Sequence, residues 1–255
     1  MSIIHTGIEA ARESSVIGLM LIHIVGGSVA LLSGAAALTL GKGGRWHARA
    51  GTLFFVSMLV LAGTGAVIAA LKPERGTAVI GIFTCYLVVT AWSAARRRDG
   101  KPGRLEHVAL AVALACLTAL ILLGIEGMNH PRGRVDSLPW QVHFVFGSVA
   151  ALAASLDINF ILRRQLSGVQ RIGRHLWRMS AAMFIATSSF FQGQEDEFPE
   201  AWQGAILWDA LPLMVLAAMI FWIFRVRFSR AFRHVAPRPR RAAAEIAREP
   251  AREAA

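Results

Sequence analysis

The sequence predicts an all-α fold, a polytopic transmembrane helical bundle of seven spans with its N-terminus outside and its C-terminus cytoplasmic. Three observations carry this. Only 17% of the residues are charged while 55% are hydrophobic, whereas a soluble domain carries about 25% charge. Seven apolar stretches approach the roughly 20 residues that a helix needs to cross a bilayer. The basic residues fall between those stretches instead of along amphipathic faces, so the net charge of +11 reports membrane topology and no nucleic-acid partner is called for.

The spans cover residues 16–40, 50–71, 77–95, 107–125, 140–162, 175–192 and 205–224. Ahead of the first, Glu9 and Glu13 stand where a signal peptide would carry a basic region, so the first helix is expected to stay in the mature protein. Pro73, Pro102, Pro131, Pro139 and Pro199 all fall between spans, as helix interiors demand. Pro212 alone lies inside one and predicts a kink in the seventh helix. The sixth span is the least apolar, because Arg178 interrupts its first turn.

Lysine and arginine set the orientation, since short loops rich in them stay in the cytoplasm. Of 27 such residues, 22 lie in segments 41–49, 96–104, 163–178 and the region from Arg225 onward. The opposite side has only Arg12, Lys72, Arg75, Arg132 and Arg134, together with the acidic run Glu195, Asp196, Glu197 and Glu200. Residues 1–235 therefore form the transmembrane domain. Residues 236–255 read as a disordered basic cytoplasmic tail, and the lipid bilayer is the partner that the composition implies. Cys85 and Cys116 both sit inside apolar stretches and suit packed thiols better than a disulfide or a metal site.

An internal echo stands out. The first and fifth spans share HxxxGSVA, as His23 to Ala30 and His143 to Ala150. Each histidine heads a row of small residues at helical spacing, with Gly27, Ala30 and Gly34 after His23, and Gly147, Ala150 and Ala154 after His143. His47 and His175 open the second and sixth spans, so an outer histidine followed by an inner one occurs twice. This pattern suggests duplicated helix pairs related by an axis along the membrane normal.

Neutral imidazole is an axial ligand for haem iron, and small residues let a macrocycle lie flat against a helix. His23 with His143, above Gly27 and Gly147, therefore forms one candidate haem b site on the outer side. His47 with His175 forms a second on the inner side, with His107 as a competitor there. The layout resembles the cytochrome b561 type of membrane cytochrome and implies electron transfer, with quinone or a redox protein as partner. A zinc ion on His23 and His143, aided by Glu126, His130 or Asp209, is a further metal reading, although no HExxH spacing supports it. The plainer alternative is that these histidines make interfacial hydrogen bonds and the small residues pack helices.

Polar residues inside the fifth span give another class of function. Asp157 and Asn159 could serve a proton-coupled transporter, whereas pairing of Asp157 with Arg178 or Arg49 would make it a structural lock. Asp209, Gln192, Gln194 and Glu126 would line an outward polar mouth. A non-catalytic assembly or scaffold protein is the third class.

The stretch from Arg174 to Gln194, with its RHLWRM and SFFQGQ segments, together with HxxxG in the first span and KGGxxHxxxG from Lys42 to Gly51, resembles a family of uncharacterised bacterial polytopic membrane proteins. The resemblance spans most of residues 16–226 and implies a bacterial inner-membrane location without implying an activity. Ala48 follows His47 where that pattern usually has arginine.

Overall fold

The computed structural model describes residues 2–97 and 100–228, with side chains from Val16 onward except at Leu207. The expected tail, 236–255, lies outside the described residues. Seven long helices dominate: α1 (Ser2–Thr39), α2 (Arg45–Leu71), α3 (Arg75–Arg96), α4 (Arg104–Asn129), α5 (Trp140–Arg163), α6 (Gly168–Phe191) and α7 (Leu207–Phe228). A two-stranded hairpin, β1 (Arg134–Val135) and β2 (Leu138–Pro139), joins α4 to α5. Six of the helices are long and apolar enough to cross a membrane, and α6 is the exception. The protein is accordingly a multi-pass membrane protein. Its large exposed hydrophobics, such as Leu32, Val108, Leu122 and Leu162, have the lipid-facing role expected of such helices.

Local chemistry sets the helix ends. Lys42 donates its Nζ hydrogens to the carbonyls of Ala37, Leu38 and Leu40, satisfying acceptors that the last turn of α1 leaves open. Glu106 accepts from the Gly103 amide at 2.7 Å at the start of α4. Ser167 and Gln170 form a reciprocal capping box, which starts α6 seven residues ahead of the expected position. α7 continues as one helix through Pro212.

α3 is the pivot of the packing. Phe83, Tyr86 and Leu87 on one side of it join Ala113, Cys116, Ala150 and Ala154 of α4 and α5 in one core. Val88, facing the other way, joins Ala30 of α1, Phe54 and Met58 of α2, Met183 of α6 and Val215 of α7 in a second. Within this second core α1 packs on α2, α2 on α3, α3 on α6 and α6 on α1. The four therefore close a ring in which α2 and α6 stand diagonally opposite.

The proposed duplication does not extend to this packing. α1 and α2 form a closely packed hairpin, whereas α5 lies along α4, and α6 lies along α3 and α7. The small residues explain the difference, because each row follows the helix it can approach most closely. A Cβ on Gly27 would meet Leu61 Cδ1 of α2 at 3.1 Å, and one on Gly147 would meet Ile121 Cδ1 of α4 at 3.2 Å. Both rows thus serve helix packing.

α2 and α3 approach closely at Gly81, where a Cβ would stand 2.9 Å from the Ala62 carbonyl oxygen and from Ala66 Cβ. Backbone cannot yield there. Gly81→Ala should cost about 1–3 kcal/mol through overpacking. Gly63→Ala, whose Cβ would meet nothing within 4 Å, should be neutral or stabilising by up to about 1 kcal/mol. Thermal unfolding in a mild detergent compares the two.

Candidate functional site

Four buried polar residues, Thr90, Asp157, Arg174 and Arg178, meet where α3, α5 and α6 come together. Asp157 is fully buried and receives three hydrogen bonds. Arg174 Nη1 and Arg178 Nη2 both donate to its Oδ1 at 2.5 Å, and Tyr86 Oη donates to its Oδ2 at 2.5 Å. Arg178 Nη1 also donates to Thr90 Oγ1, while Nη2 reaches the Ala153 carbonyl at 3.4 Å. The two guanidiniums lie over aromatic faces, Arg178 over Tyr86 and Trp177 and Arg174 over Phe160. A carboxylate in a low-dielectric interior is tolerated only when paired and hydrogen-bonded, and Asp157 is both. Its two oxygens are engaged with donors, which makes it a clasp between helices.

The clasp also bears on topology. Arg174 and Arg178 sit four apart on one face of α6 and are buried, so they are not loop charges although they lie in the basic segment 163–178. Arg178 is the partner of Asp157 that its depth suggests. Arg49 is instead exposed and lies over Trp46. Asn159, two residues after Asp157, is exposed on the opposite side of α5, so the two do not share a site. Arg174, Tyr86 and Thr90 are not singled out by the sequence pattern. The available signals were the spacing of four between the arginines and the fact that Tyr86 is the chain's one tyrosine.

The in-span histidines share one feature. His23 Nδ1 lies 3.0 Å from the Leu61 carbonyl and 3.2 Å from Thr64 Oγ1. His47 Nδ1 lies 3.0 Å from the Ala37 carbonyl, His175 Nδ1 3.1 Å from that of Ala91, and His143 Nδ1 3.2 Å from that of Pro139. A carbonyl only accepts, so Nδ1 carries the hydrogen and Nε2 presents a lone pair. None of these four Nε2 atoms has a hydrogen-bond partner among the described residues. His107 is held in the same way by Gly103 but is exposed.

The structure does not bring His23 and His143 together. His23 is directed at α2, where Gly65 leaves room for its ring. His143 is fully buried against the start of α3, and a Cβ on Gly76 would come within 2.5 Å of its Nε2. α1 and α5 share no extended interface among the described residues. His47 and His175, by contrast, stand on the diagonal helices α2 and α6 at the same end of the bundle, held by carbonyls near the ends of α1 and α3. Lys42 shares the Ala37 carbonyl with His47, and Arg171 reaches the Ala95 and Arg97 carbonyls, one turn beyond the Ala91 carbonyl that His175 contacts. Gly51, one turn beyond His47, has open space beside it.

The outer residues disperse into separate contacts. Arg75 pairs with Glu126 at 2.8 Å and with Asp136 at 3.3 Å. Burial works to raise the Asp136 carboxyl, but hydrogen bonds from the Arg75 side chain and amide outweigh it and hold the group below its ordinary value. Asp209 accepts from Gln192 at 2.8 Å, and Gln194 turns to the Gly193 carbonyl. His130 is exposed. Among the described residues, no three His, Cys, Asp or Glu side chains are grouped to hold a metal ion. Compared with known proteins, the chain matches no family model, no curated protein and no solved structure.

Asp157→Asn removes the charge that two buried guanidiniums share, and breaking a buried pair from one side costs about 3–5 kcal/mol. The melting temperature in detergent should therefore fall strongly for Asp157→Asn and stay within error of wild type for Asn159→Ala.

Proposed function

We propose that the protein is a membrane redox component that holds b-type haem between His47 and His175, near the cytoplasmic ends of α2 and α6. Together with this we propose seven crossings in a bacterial inner membrane, α6 included, with the N-terminus outside. The placement of the two histidines carries the reading: they stand on diagonal helices at the same end of the helix ring, with Nδ1 fixed by carbonyls and Nε2 unpartnered among the described residues. Orientation of a metal-ligating imidazole through its other nitrogen is the usual means of fixing its tautomer and raising its basicity. Lys42 and Arg171 supply cations of the right sign for haem propionates. When bound by two histidines, haem iron exchanges single electrons with no coordination position left for substrate, so the corresponding role is electron transfer. The 24 residues of α6 give about 36 Å at 1.5 Å per residue, enough to cross, and its arginines Arg174 and Arg178 both pair with Asp157 and stack on aromatic faces inside the bundle.

Protein purified in mild detergent from haem-supplied cells should show a Soret band and a bis-histidine low-spin spectrum. His47→Ala and His175→Ala should each abolish or shift it, while His107→Ala leaves it intact. Purified protein without a Soret band, or with one that both substitutions leave unchanged, rejects the reading.

A further inference from the structure

A groove of about 240 Å³ runs between α5 and α6 on the flank of the ion cluster. Its apolar side is formed by Leu156, Phe160 and Trp177, and its polar side by Asn159, Arg163 and Arg174. Asn159 and Arg163 are exposed, as is Gln170 on the same lining, and Arg174 is 8% exposed. Arg174 uses only Nη1 on Asp157. Its other nitrogens have no hydrogen-bond partner among the described residues, and they are not sealed from the surface as Arg178 Nε is.

The charge here is unbalanced. Arg174 and Arg178 carry two positive charges against the single negative charge of Asp157, and Glu106, the buried acid nearest this end of the bundle, is paired with Arg97. A surplus cation at the boundary of an apolar bundle attracts an anion, and two guanidiniums bind phosphate oxygens with directed hydrogen bonds. The volume is below the roughly 300–1,000 Å³ of a drug-sized pocket, so it suits a headgroup whose chains remain in the bilayer. The exposed apolar flank of α5, with Leu152, Leu156 and Leu162, offers those chains a surface.

We propose that this groove seats the phosphate headgroup of an anionic phospholipid from the leaflet at the α5–α6 connection, with Arg163 and Arg174 on the phosphate and Leu156 and Trp177 along the first methylenes. Basic pockets between transmembrane helices are a known way of selecting anionic lipid. The lipid completes the ion cluster, supplying the second negative charge. This site is independent of the histidines and of any haem.

The full chain is reconstituted in phosphatidylcholine vesicles with phosphatidylglycerol as the minority lipid, extracted in mild detergent and subjected to native mass spectrometry. One phosphatidylglycerol should remain bound to the wild type. Arg163→Gln should reduce retention about tenfold, the effect of one charge-assisted hydrogen bond. Leu156→Trp, which fills the groove, should remove it, and Arg164→Gln, outside the groove, should have no effect. Neither Arg163 nor Leu156 belongs to the clasp, so melting temperatures should match wild type and show that the fold is intact. Equal retention in all variants, retention of phosphatidylcholine as strong as that of phosphatidylglycerol, or displacement of the lipid by inorganic phosphate overturns the proposal.

Discussion

Two guanidiniums and one carboxylate, buried together, govern how this bundle is assembled. A helix carrying Arg171, Arg174, His175 and Arg178 within two turns is a poor membrane span by itself, since each ionised group in hydrocarbon costs several kcal/mol. Asp157 of α5 and the hydroxyls of Tyr86 and Thr90 of α3 pair and hydrogen-bond within this cluster inside the bundle. They give α6 specific partners and fix its rotation, because Arg174 and Arg178 meet Asp157 only from one face. α3 then has to lie between α5 and α6, as it does, with its apolar residues divided between the two cores. Replacing such a cluster wholesale with apolar residues need not destabilise a protein. What the cluster supplies here is position: it sets which side of α6 looks inward, and with it where His175 stands.

The histidines follow from that placement. His175 precedes Arg178 by three residues and so lies near the same face, one turn closer to the helix start. With α6 rotated by the clasp, His175 reaches the Ala91 carbonyl of α3 and stands across the ring from His47. The shared HxxxGSVA motif points to a different pair, His23 with His143, and the reason it does not bring them together is local. A small-residue row determines which helix can approach, and α1 and α5 are approached by different neighbours, Leu61 of α2 and Ile121 of α4. Identical motifs in two helices therefore produced similar packing surfaces without producing a common site.

Much of the fold was legible in the sequence. Apolar length and proline placement located the long helices, with the start of α5 at Trp140 fixed by Pro139. Boundaries moved where polar residues can be helical. α2 begins at Arg45 and α4 at Arg104, because arginine side chains reach water from a first turn that hydropathy assigns to a loop. α6 was the hardest to read, since its capping box at Ser167 and Gln170 is a short signal and its arginines imitate loop charge. The pairing of Asp157 with Arg178 could be anticipated from depth. The participation of Arg174, Tyr86 and Thr90 could not, because it depends on which face of α3 turns toward α5, a choice made by packing.

The claim on which the rest turns is that this polar helix crosses the membrane within the bundle, and side-specific thiol labelling tests it most directly. In a chain with Cys85→Ala and Cys116→Ala, single substitutions Ser167→Cys and Gln194→Cys mark the two ends of α6. With a membrane-impermeant reagent, intact cells should label Gln194→Cys alone, and inverted vesicles should label Ser167→Cys alone. Labelling of both ends from the same side would show that α6 does not cross, and would contradict the placement of its histidine and arginines inside the bundle.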